Sequence, residues 1–250
     1  MMAEYTSGNL FRQIMAFVRV DLIFFVRFWY ISLFTLGMTV FYFLMLTRYA
    51  DGVPYVDVTL VFVTLGVLAV VLFQCGGRVA MERLDRWSPF LRTLPVPVWA
   101  RLGARLILVV LAGGLAAALI MVAGMIRFDV VYDLSAILRA AVSVPLAVAV
   151  FAPASACVGA RAHPNFAPAL TTVLFLAITW SSGVWTRSAV PLILAPVDFL
   201  LPVQAVQRVA AAVTSAEWSD LLSGVAVVAL WSLPASLLAH RLASRSEARQ

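Results

Sequence analysis

GRVAMERLDRWSPFLRTLPVPVWARLGAR, residues 77–105, decides how the rest of the chain is read. It lies between two long apolar runs, Val58–Gly76 and Leu106–Ile126, and concentrates charge in a chain that has little. Six arginines (Arg78, Arg83, Arg86, Arg92, Arg101, Arg105) and two acids (Glu82, Asp85) fall inside it. That much charge requires water, whereas about 20 uninterrupted apolar residues match the thickness of a bilayer's hydrocarbon core. The stretch is therefore a hydrophilic loop joining two membrane spans. Within it Ala80, Leu84, Trp87 and Leu91 recur at helical spacing on one side, and the charged residues fall elsewhere. Ser88-Pro89 reads as an N-cap followed by a proline at the first helical position, and Pro95 and Pro97 stop the helix. Two short helical pieces along the membrane surface are expected, with a size and polarity suited to a groove on a soluble partner. On physical grounds alone, a solvated loop that only sets topology explains the same residues equally well.

Composition agrees with the membrane reading. The chain is 63% hydrophobic and only 12% charged, with mean hydropathy +0.99; a soluble domain carries about 25% charged residues. Long continuous runs, in place of short alternating ones, argue for an all-α membrane protein and against a barrel. Six transmembrane helices can be drawn: Phe28–Thr47, Val58–Gly76, Leu106–Ile126, Ala140–Gly159, Phe166–Val184 and Leu221–His240, none containing Asp, Glu or Arg. The 250 residues are expected to form one membrane domain, with no room left for a nucleotide-binding domain. Residues 1–9 are polar and the first apolar stretch far outruns a signal-peptide core, so no cleavable signal is expected.

Arginine counts orient the spans. With the N-terminus inside, the inner side holds Arg12, Arg19, Arg27, the six loop arginines, Arg161, Arg241, Arg245 and Arg249. The outer side holds only Arg48, Arg127, Arg139, Arg187 and Arg208. The positive-inside bias thus places both termini in the cytoplasm. The net charge of +6 then reflects topology and gives no reason to invoke nucleic acid. All 18 basic residues are arginine, read as the codon bias of a GC-rich genome, expected to be bacterial, and not as chemistry.

Two further segments have a distinct character. In Leu10–Arg27, Leu10, Ile14, Phe17 and Val18 hold one side and Arg12, Gln13 and Arg19 another, which predicts an N-terminal interfacial helix over 10–27. The alternative, an early-starting first span, would bring Arg19, Asp21 and Arg27 toward lipid. Thr186–Val213 is apolar but broken by Pro191, Pro196 and Pro202, with Asp198 in its middle. A short re-entrant or interfacial helical hairpin on the outer side fits it better than a span. Pro145, Pro153 and Pro168 fall inside the fourth and fifth spans, either lining a path or simply kinking packed helices. The small residues Ala112, Gly113, Gly114, Ala116, Ala117 and Ala118 permit close helix approach.

The inventory for catalysis is sparse. The two histidines, His163 and His240, sit at span ends beside Arg161 and Arg241, as interface residues do. No carboxylate lies mid-span to relay protons. Without lysine there is no phosphate loop of the glycine-lysine type, so ATP hydrolysis would need another polypeptide. Cys75 and Cys157, without nearby histidine, suggest neither a metal site nor, on a reducing cytoplasmic side, a disulfide.

The loop resembles the one after the second span of ABC-2-type transporter permeases. The residues carrying the likeness are Glu82-Arg83, Trp87, Leu91-Arg92, Thr93-Leu94-Pro95 and the basic return at Arg101–Arg105; the glycine usual before the tryptophan is Arg86 here. A second pattern, Ser182-Gly183-Val184-Trp185, Pro191 and Leu201-Pro202-Val203-Gln204-Ala205, resembles the end of the fifth span and its re-entrant segment in that family. The resemblance implies a permease subunit of an ATP-driven exporter in the cytoplasmic membrane, not itself an enzyme and binding no cofactor. It would pair with a second permease subunit, identical or not, and dock an ABC-type ATP-binding subunit that holds ATP and Mg. Glu82, Arg83, Arg86, Trp87, Leu91 and Arg92 would form the coupling surface. Phe34, Phe41, Tyr42, Phe175 and Trp180 are candidates for the translocation path. Apolar spans point to a lipophilic drug-like or lipid-linked substrate. The alternatives are polysaccharide or glycolipid export by the same architecture, a membrane-embedded enzyme, or an assembly partner.

Overall fold

The computed structural model describes residues 7–27, 29–46, 54–82, 98–182, 199–215 and 217–248, and these are helical almost throughout, with no strand among them. The helices are α1 (Ser7–Arg27), α2 (Trp29–Leu46), α3 (Tyr55–Val70), α4 (Arg78–Glu82), α5 (Val98–Phe128), α6 (Leu134–Arg161), α7 (Ala167–Ser181), α8 (Pro202–Ser215) and α9 (Trp218–Ala248). A π-helical turn, Val71–Gly77, joins α3 to α4 without a break.

Four stretches are long and apolar enough to cross a membrane: Tyr55–Ala80, Leu102–Phe128, Leu134–Arg161 and Trp218–Ala239, of 26, 27, 28 and 22 residues. At about 1.5 Å per residue they measure roughly 33–42 Å, more than the ~30 Å core. The first three stretches contain the expected second, third and fourth spans, and the last covers the sixth up to Ala239. The first and fifth fall on shorter apolar helices, α2 with 18 residues and α7 with 15. Span boundaries drawn where charge begins fall short of the helix ends, because a helix continues into water: α6 starts six residues before Ala140, and α9 runs on past Arg241. Pro168, expected inside a span, occupies the first turn of α7, where its missing N–H costs no hydrogen bond.

α3 is the hub. Of its apolar window 72% is buried, against 11% for α9, because α2, α5, α6, α7 and α8 all pack around it. Small residues make this possible. A Cβ on Gly113 would stand 3.2 Å from Val67 Cγ1, and one on Gly66 2.7 Å from Ile120 Cδ1. Ala112, Ala116 and Ala117 are buried along the same seam, while Ala118 faces out and Gly114 meets open space. Four of the six small residues therefore serve packing. At the end away from the charged loop, Phe43 is wedged edge-on between Phe62 and Phe128, with centroids at 5.3 and 5.8 Å.

The α5–α6 connection is fixed by local chemistry. Asp129 adopts a left-handed conformation (φ 49°) and ends α5, and the Val130 N–H returns to the Gly124 carbonyl at 3.5 Å. Asp133 then caps α6: the Ala136 N–H donates to Oδ1 at 2.9 Å and the Ser135 hydroxyl to Oδ2 at 2.8 Å. These bonds hold the Asp133 carboxyl below its ordinary value, the backbone N–H contributing most.

α8 doubles back along α9. Val209 meets Gly224, and the Trp231 indole N–H donates to the Leu200 carbonyl at 2.8 Å, thirteen residues into α9. The described part of the segment expected to form a re-entrant or interfacial hairpin, α8, is a helix antiparallel to its successor, its face of Val203, Val206, Val209 and Ala210 buried against α6, α9 and α3. Residues 183–198, including Pro191, Pro196 and Asp198, lie outside the described residues.

Candidate functional site

The charged loop begins as a continuation of the hub helix. α3, the π-turn and α4 form one run from Tyr55 to Glu82, so any displacement of the loop's start acts on the most buried helix of the bundle. Arg78, the first residue of α4, donates to Asp21 of α1 at 2.6 Å. Both side chains are largely covered (20% and 14% exposed), so bulk salt screens the pair less than a surface pair. α1 itself starts at Ser7, three residues before the expected 10, and packs along α5 through Ile14, which approaches Gly103. Its other side exposes Arg12 and Arg19 followed by Val20, Leu22, Ile23 and Val26. Asp21, taken in the sequence as a charge to be kept from lipid, is instead the tether between the N-terminal helix and the loop.

Behind Arg78 the run is clamped against α6. The Ser155 hydroxyl, itself buried, donates to the carbonyls of Val71 and Leu72 at 3.2 and 3.5 Å. Cys75 Sγ faces the Ala152 carbonyl at 3.9 Å. Gly76 and Gly159 meet so closely that a Cβ on Gly159 would lie 2.3 Å from the Gly76 carbonyl oxygen.

Of the expected coupling residues, Glu82 closes α4. Arg83, Arg86, Trp87, Leu91 and Arg92 lie outside the described residues. Of the expected path residues, Tyr42 and Phe175 are brought together. They line a cavity of about 70 Å³ with Thr35, Met38, Thr39, Ala69 and Phe73, between α2, α7 and the hub. That volume is well below the roughly 300–1,000 Å³ of a drug-sized site. The Thr39 hydroxyl in its lining is turned to its own helix backbone, donating to the Thr35 carbonyl at 2.9 Å. Phe41 and Trp180 are exposed on the bundle surface instead, 57% and 45%. Phe34 lies in α2, and its side chain is outside the described set.

A polar seam at the far end was not anticipated. Gln207 of α8 donates to the Leu60 carbonyl at 2.9 Å and to the Thr64 hydroxyl, joining α8 to the hub. Arg139 donates to Thr214 at 2.9 Å and stands 3.9 Å from Asp57, and the Tyr132 hydroxyl donates to Thr59 at 3.3 Å. Partial burial raises the Tyr132 pKa, opposed by Thr59. Gln204, Gln207 and Arg208, clustered in a segment otherwise rich in Val and Ala, were the available sequence clue. His163 is exposed at the turn between α6 and α7, where Nδ1 accepts from the Asn165 N–H at 3.4 Å. Among the described residues no group of three His, Cys, Asp or Glu could hold a metal.

Compared with known proteins, the chain matches no family model, no curated protein and no solved structure.

Proposed function

We propose that the chain is the membrane permease subunit of an ATP-driven exporter of the ABC-2 type, in a bacterial cytoplasmic membrane with both termini inside. The observation that carries the reading is the mechanical continuity of Tyr55–Glu82: the most buried helix runs into the arginine-rich loop and is tethered there to α1 by Asp21–Arg78. A soluble partner docked on that loop would push directly on the core of the bundle. Glu82 and the loop arginines would make charge-assisted contacts with the partner, while Trp87 and Leu91 anchor the loop. ATP binding and hydrolysis on the partner would close and release it, and two permease subunits would open alternately to either side. In this scheme α2 and α7 complete six spans, and α8 is the re-entrant segment of the outer half.

The substrate is read as a lipophilic drug-like or lipid-linked molecule. The cavity between α2, α7 and the hub is itself too small to hold such a molecule. The test is coupled ATP hydrolysis of the complex in nanodiscs. Glu82→Ala should leave insertion intact and lower substrate-stimulated hydrolysis; unchanged coupling removes Glu82 from the surface. Stimulation by lipophilic drugs and not by glycans is expected, and the opposite preference would favour polysaccharide or glycolipid export.

A further inference from the structure

The backbone hydrogen-bond ladders of three long helices are interrupted at one level of the bundle. In the hub run the interruption is the π-turn Val71–Gly77, whose wider register takes carbonyls out of α-helical pairing. In α6 it is Pro153, which has no N–H for the Ala149 carbonyl. In α9 it is Pro234, which likewise has none for the Leu230 carbonyl. Direct contacts show that these weak points are neighbours. Ser155, two residues past Pro153, donates to Val71 and Leu72 inside the π-turn. Cys75 of the π-turn faces the carbonyl of Ala152, the residue before Pro153. Cys157 Sγ lies 3.4 Å from the carbonyl of Ala235, next to Pro234. Pro145, higher in α6, has no such counterpart: α3 is regular from Tyr55 to Val70, and α9 has no other proline.

We propose that this level is a hinge plane, about which the loop-side ends of the hub run, α6 and α9 bend together relative to the rest of the bundle. Three aligned interruptions are what a concerted bend requires, since one intact ladder among the three would splint the others. At the loop-side end of the π-turn, Gly76 meets Gly159 at backbone contact, and just beyond it Val79 of α4 also lies against Gly159, so the loop-side ends of the hub run and α6 cannot move separately. On the far side, the Gly66–Ile120 and Gly113–Val67 contacts and the Gln207 bridge hold the bundle as a block. The Ser155 hydroxyl is the adjustable part. It shares one proton between two carbonyls at 3.2 and 3.5 Å and can follow either as the turn shifts. The use of the hinge in transport rests on the reading above; its existence does not.

The test is hydrogen exchange read by mass spectrometry on the full chain in nanodiscs. Amides 71–77 should exchange about tenfold faster than amides 62–68 of the same run, as locally opening segments do. Pro153→Ala, which restores a donor to α6, should slow exchange at 71–77 although the substitution is on another helix. Ser155→Ala should speed exchange at 71–77, and Ser155→Thr, keeping the hydroxyl, should return it toward the native rate. Even protection along Tyr55–Glu82, or a Pro153→Ala effect confined to α6, would overturn the hinge. A hinge present in exchange but without influence on ATP turnover would count against the exporter reading and leave the hinge standing.

Discussion

Replacing Gly159 by alanine tests a backbone-to-backbone contact between α6 and the hub run. The added Cβ would stand 2.3 Å from the Gly76 carbonyl oxygen and 2.9 Å from Val79 Cβ. The first of these neighbours is backbone, so no side-chain rotation relieves it, and α6 must part from the hub run by on the order of 1 Å. That separation stretches the Ser155–Val71 hydrogen bond, already 3.2 Å, beyond useful range. Overpacking costs about 1–3 kcal/mol. A buried hydroxyl left unpaired costs about 1–3 kcal/mol more. The helix-propensity gain of alanine over glycine offsets about 1 kcal/mol of this. A net loss of about 1–5 kcal/mol is predicted, read as the shift in the SDS-unfolding midpoint of purified protein in mixed micelles. Gly114→Ala is the control, because a Cβ there meets nothing within 4 Å and should be neutral or mildly stabilising. If the two variants unfold alike, the Gly76–Gly159 contact does not exist as described.

Three other outcomes follow from the same structure. Arg78→Ala should cost about 1–3 kcal/mol in the same unfolding assay, and the swapped pair Asp21→Arg with Arg78→Asp should recover a clear part of it; no recovery would show that the two charges are not partners. The Asp133 carboxyl is held below its ordinary value in the folded chain, so its capping contribution is complete above about pH 4 and is lost as the pH falls through the lowered folded value. Exchange protection at the start of α6 should accordingly fall on acidification, and Asp133→Asn should abolish that step; an acid step that persists in the variant would assign it to another group. A cysteine at Ser135 should react with an impermeant maleimide added outside intact cells and one at Ser88 should not, the reverse pattern inverting the topology.

Much of the helical architecture was legible in the sequence because hydrocarbon imposes a simple rule. A chain cannot leave backbone groups unpaired in lipid, so each long charge-free run must be helical. Runs around Val58, Leu106, Ala140 and Leu221 were accordingly placed, with boundaries short where helices extend past the charge-free runs, as at Leu134, Arg161 and Arg241. Contacts between helices were not legible, because they depend on register. Val71–Gly77 reads as six apolar or small residues around Gln74, with nothing to distinguish a π-turn from an α-turn; Ser155, which braces it, lies some eighty residues away. Asp21 and Arg78 each read as solvated charges until folding set them 2.6 Å apart. The path aromatics were selected by residue type alone, and geometry divided them: Tyr42 and Phe175 share a cavity, while Phe41 and Trp180 face outward.

The proposal that this chain is driven by a separate ATPase is tested most directly by what accompanies it in the cell. The tagged protein would be extracted from its native membrane in mild detergent, purified, and its companions identified by mass spectrometry. An ABC-type ATPase at about equal stoichiometry, hydrolysing Mg-ATP within the complex, is the predicted result. A clean preparation without any ATPase, reproduced after extraction into nanodiscs, would contradict the exporter assignment and return the enzyme and assembly-partner readings to the front.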